Sequence, residues 1–85
     1  MIVLPGGKIE TIQGLCVVAL TKHLMKKFAL AEDKAYAKLI DTELYSLLMD
    51  PETGLFLETN QYLCKACDME LDHGSEALYD YINQE

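Results

Sequence analysis

The chain has 85 residues, 51% of them hydrophobic and 25% charged, with 14 acidic against 7 basic side chains, no arginine and a formal net charge of −7. A chain this short removes only about 60–65% of its unfolded surface from water, which leaves one small core and excludes a second domain. The apolar content excludes intrinsic disorder, and an acid surplus without arginine excludes a surface built to track nucleic-acid phosphates.

Pro5-Gly6-Gly7 is a turn signal after a short apolar lead, so the first helix is expected from about Lys8 to about Phe28. Residues 1–7 then form an N-terminal arm, in which Ile2 to Leu4 pack in extended form. In the first half of the helix, Ile9, Ile12, Leu15, Cys16, Val17, Val18, Ala19 and Leu20 leave almost no polar face. That is the mark of a helix enclosed by protein. In its second half Leu24, Met25 and Phe28 share one arc, while Lys22, His23, Lys26 and Lys27 occupy the other, with cations where the macrodipole favours them.

A second helix fits about Glu32 to Ile40, with Glu32 and Asp33 in its first turn and Ala35, Tyr36, Leu39 and Ile40 facing inward. A third runs from Thr42 to Met49, capped by Asp41 or Thr42, with Leu44, Tyr45, Leu47 and Leu48 on its apolar side. Asp50-Pro51 stops it. Asp50 to Gly54 reads as a turn, because proline presets the backbone near its start and glycine accepts positive φ near its end. Leu55-Phe56-Leu57 follow as apolar residues inside a connection, and they either bury or meet a partner.

Thr59 or Asn60 caps a fourth helix that runs to about Asp72, with Gly74 as its left-handed C-cap. Ser75 and Glu76 begin a short fifth helix through Leu78, Tyr79, Tyr81 and Ile82. No segment shows sustained period-two alternation, and there is no repeat or interdomain linker. The expected fold class is all-α, four to five short helices packed around a buried N-terminal helix, in a single helical domain over 1–85.

Charge divides along the chain. Residues 1–38 carry six lysines and three acids, or +3, whereas residues 39–85 carry one lysine and eleven acids, or −10. The polarity is satisfied inside the fold if helix four lies beside the lysine end of helix one. Otherwise it is read between molecules or solvated.

Candidate chemistry is sparse. Cys16, Cys64 and Cys67 are odd in number and far from a secreted disulfide pattern, so they read as reduced thiols. Cys64-Lys-Ala-Cys67 has C-x-x-C spacing, but Cys64 lies inside a predicted helix rather than at a helix N-terminus in a βαβ unit. A zinc site needs four ligands, and the candidates Cys64, Cys67 and His73 lack a second pair. A calcium loop starting at Asp50 would need glycine at its sixth position and glutamate at its twelfth, where Leu55 and Gln61 stand. His23 reads as an exposed histidine among lysines, and His73 as a partner of the C-terminal dipole.

Ser46 and Ser75, the only serines, form no nucleophile elbow, and Gly6-Gly7 is too short for a phosphate cradle. No catalytic residue and no cofactor is implied. A helix-turn-helix over helices two and three would present Glu43 and no basic residue to DNA. The longest fully apolar run, Leu15 to Leu20, is far short of the roughly 20 residues that span a bilayer. Met1 to Gly7 lacks the features of a signal peptide, so the cytoplasm is the expected compartment.

The run Tyr45-Ser-Leu-Leu-Met-Asp50-Pro-Glu-Thr-Gly54-Leu-Phe56, followed by Glu58-Thr59, Tyr62 and Glu70-Leu71, resembles a group of small, uncharacterised bacterial helical proteins, a domain of unknown function. The resemblance spans Lys38 to Leu71, and Asp41 stands where that group would have serine before the third helix. It implies one packed helical unit with no transferable catalytic residue, and members encoded beside toxin-like or regulatory partners.

These features point to a non-enzymatic helical module for protein–protein interaction or regulation, a homo-oligomer or the small acidic subunit of a complex, with no nucleic acid and no membrane involved. Tyrosine suits half-buried borders, so Tyr62, Tyr79 and Tyr81 join Leu55, Phe56 and Leu57 as interface candidates. The alternatives are a thiol or metal protein built on Cys64 and Cys67, and an acidic inhibitor that offers Asp68, Glu70, Asp72, Glu76 and Asp80 to a basic partner.

Overall fold

Helix α1 runs over Gly6–Phe28, so the two glycines expected in the arm open the helix instead. The computed structural model describes residues 6–84, and the rest of the expected arm, Ile2 to Leu4 included, lies outside them. The order continues with α2 (Glu32–Ile40), α3 (Glu43–Met49), two 3-10 turns (Pro51–Thr53 and Leu55–Leu57), α4 (Asn60–His73) and α5 (Ser75–Ile82). No strand occurs among the described residues, and the fold is all-α.

Local chemistry accounts for most boundaries. Thr42 and Thr59 are extended N-caps whose hydroxyls accept from the amides of Tyr45 and Tyr62, both at 3.1 Å. Asp50 Oδ1 accepts from the Glu52 amide at 3.0 Å, and Gly54 turns the chain with φ +70°. Ala29 ends α1 at φ +53°, where the Leu30 amide donates back to the Met25 carbonyl at 3.1 Å, the long hydrogen bond of a Schellman motif. Gly74 also has positive φ, but at φ +97° and ψ 171° it lies outside the left-handed helical region expected of it, in a region essentially reserved for glycine.

One core joins all five helices. Leu20 and Leu24 of α1, Leu39 of α2, Leu44 and Leu48 of α3, Leu63 of α4 and Leu78 of α5 are fully buried. Each such leucine contributes roughly 1.5–3 kcal/mol relative to exposure. Against α1 pack α2, α4, α3 and the Leu55–Leu57 turn. That cover is incomplete. The thinnest dimension of the molecule is 19 Å, room for about two packed helices, so a central helix keeps one side open. The expected enclosure of α1 therefore fails on one face, where Leu15 is 65% and Val18 49% exposed. Conversely, the polar Gln13 is buried within its apolar half, its amide nitrogen donating to the Leu48 carbonyl at 3.2 Å.

Candidate functional site

A small part of the charge polarity seen along the chain is satisfied between α1 and α4, where one of the six N-terminal lysines and His23 meet two acids. His23 Nε2 lies 2.8 Å from Asp68 Oδ1, and since a carboxylate only accepts, that nitrogen carries the proton. Lys27 Nζ donates to Asp68 Oδ1 and to Asp72 Oδ2, both at 3.0 Å. Burial alone would raise the pKa of Asp68, but the hydrogen bonds and charges of His23 and Lys27 outweigh it and hold the carboxyl below its ordinary value. Hydrogen bonding to Asp72, then to Asp68, outweighs desolvation at Lys27 and raises the ammonium in turn. His23 is thus half-buried and paired, not the exposed histidine expected.

A second acid of α4 is used in a way the linear pattern does not reveal. Glu70 reaches across to the start of α3, accepting from the amides of Glu43 at 2.7 Å and Leu44 at 2.9 Å. Together with the Thr42 hydroxyl it pairs the first three amides of α3, which that helix cannot pair internally. The expected acidic face of Asp68, Glu70, Asp72, Glu76 and Asp80 is corrected accordingly. Three of the five carboxylates serve internal contacts, and only Glu76 and Asp80 stand exposed without such roles.

The expected interface residues also separate. Leu55 and Phe56 are each 6% exposed and belong to the core, so they are not available to a partner. The reason is the 3-10 turn that Gly54 starts, which folds both side chains against α1 and α3 and leaves Leu57 pointing outward at 66% exposure. Cys16 Sγ faces the Phe56 carbonyl at 3.7 Å and ties this turn to α1. Tyr62 and Tyr81 are half-buried and packed on each other, ring centroids 5.0 Å apart, where they seal the α4–α5 seam. Tyr79 remains accessible while its hydroxyl donates to Glu43 Oε2 at 2.8 Å.

The thiol chemistry is subdued. Cys67 is fully buried, and desolvation, followed by the nearby charges of Asp68 and Glu70, pushes its thiol up to about 12. Burial likewise raises Cys64 and Cys16. A reactive cysteine needs the opposite shift. His73 is exposed at the end of α4, and among the described residues no three His, Cys, Asp or Glu side chains gather to hold a metal ion.

An accessible groove lies on another side of α1. Val17, Val18, Thr21 and Met25 face Glu32 and Tyr36 of α2 across a groove of about 370 Å³, with Lys22 at its edge. Leu15 does not line the groove, but it is exposed one helical turn before Val18 on the outer face of α1. Gly14, on the same side of the helix, has nothing near the position a Cβ would take, so the fold itself does not require a glycine there. The run of apolar residues around all of α1 carried the signal for this surface, because the four shorter helices are too few to enclose such a helix.

No helix among the described residues is long and apolar enough to cross a membrane. No protein-family model matches the chain, and neither the curated proteins nor the solved structures contain a significant match to it.

Proposed function

We propose that this chain is a non-enzymatic helical module, acting in the cytoplasm, whose role is protein–protein interaction through the outer face of α1 and the groove between α1 and α2. The observation that carries this reading is the exposure of Leu15 and Val18 beside an apolar groove, on a helix that otherwise supplies the core. Apolar patches held open beside a concave groove mark interaction sites more often than scattered exposed leucines do. The resemblance of residues 38–71 to small bacterial helical proteins fits the same reading, since it rests on packing and capping residues and none that carries chemistry.

The test is a photo-crosslinking amino acid placed at position 15 and, as a control, at position 65 on α4. In cells of the source organism the first should give a discrete adduct that Val18→Asp removes, and the second should not. An adduct of twice the chain's 9.6 kDa would identify the homo-oligomer, and any other mass a different subunit. Equal labelling from both positions, or none from position 15, would refute the assignment.

A further inference from the structure

Resting on that reading, we infer that the α1–α2 groove takes an acidic amphipathic helix of a different protein. Lys8, Lys22 and Lys26 recur along the exposed side of α1 with Leu15 and Val18 between them, at spacings that place all five on one face of the helix. None of the three lysines has a carboxylate at ion-pair distance among the described residues, and the ion pairs between α1 and α4 use His23 and Lys27 instead. The face is therefore an apolar strip bordered by free cations, in a chain whose net charge is −7. Its complement is a helix with an apolar stripe flanked by Asp and Glu.

Other occupants fit less well. Pairing the face on itself about a two-fold axis sets cations against cations, and packing it against the acidic end of a second copy is a head-to-tail contact, which needs a ring or a filament rather than the commoner two-fold dimer. A lipid surface is flat and gains nothing from the groove, in which Glu32 would also be desolvated against anionic headgroups. Against a helix, Glu32 sits on the wall opposite Lys22 and sets orientation, favouring a partner with its acids on the α1 side.

The experiment uses stapled helical peptides of about 15 residues, long enough to span the ~22 Å from Thr11 to Lys26 at a helical rise. One carries a leucine stripe flanked by glutamates, one the same stripe flanked by lysines. Binding is read by fluorescence anisotropy and mapped by amide chemical shifts. The acidic peptide should bind at least about tenfold more tightly than the basic one and shift the amides of Leu15 and Val18, and Lys22→Glu with Lys26→Glu should reverse the preference. Equal affinities with both peptides mapped to Leu15 and Val18 would overturn the acidic-partner inference and leave the interaction surface standing. If neither peptide perturbs those amides, the surface itself is refuted. Preferential binding to phosphatidylglycerol vesicles, or sedimentation showing a second copy on this face, would also overturn the inference.

Discussion

Replacing Glu70 with alanine should destabilise the domain although the residue lies on a partly exposed helix surface and far in sequence from what it supports. Its carboxylate accepts the first two amides of α3, a helix of seven residues with little capacity to hold its own first turn. Hydrogen bonds to a charged group contribute about 1.5–3 kcal/mol each when the donor would otherwise be unpaired. Leu44 is fully buried, so its amide meets that condition, whereas Glu43 is exposed and its amide finds water at small cost. One full and one discounted contact give about 2–3 kcal/mol, a substantial part of the roughly 4–13 kcal/mol expected for a chain of this length. Glu70→Gln keeps an acceptor without the charge and should cost about half as much. The assay is urea unfolding followed by circular dichroism, with Glu76→Ala as an exposed control expected to lie within about 0.5 kcal/mol of wild type. Hydrogen exchange at Glu43 and Leu44 should accelerate in Glu70→Ala. A loss no larger than that of the control, or unchanged protection of those two amides, would refute the capping role.

Other expectations follow from the same contacts. Asp68 titrates below its ordinary 3.8 in the folded chain, so its contribution is present above that value and is lost as pH falls through the folded one. Asp68→Asn should therefore lower stability at pH 6 but flatten the decline below about pH 4, as read from urea midpoints. Cys67, buried and held protonated, should react with iodoacetamide at pH 8 at least about 100-fold more slowly in the native protein than in urea. A fast native reaction would place that thiol at the surface. Phe56→Ala should cost about 3–5 kcal/mol while Leu57→Ala stays within about 0.5 kcal/mol, a contrast in thermal melts that tests the division made by the 3-10 turn.

Much of the fold was legible in the sequence because helix boundaries are local events. Thr42 and Thr59 cap the helices that begin beside them, Asp50-Pro51 ends α3, and glycines stand at two of the three described positions of positive φ, with Ala29 at the third. The site was less legible. Leu55, Phe56 and Leu57 are chemically alike, and only the direction of the 3-10 turn decides which two are core. Glu70 resembles any helix-surface acid until α3 lies beside it, and Gln13 resembles a surface amide until Leu48 presents its carbonyl.

The amino-acid sequence by itself determined the helical class, a count of four to five helices and the split of charge between the halves, since these depend on residue type, spacing and near neighbours. The tertiary structure decided which charges are satisfied internally and which face of α1 is uncovered. Both depend on contacts between residues some 26 to 45 positions apart, whose partners no local pattern specifies.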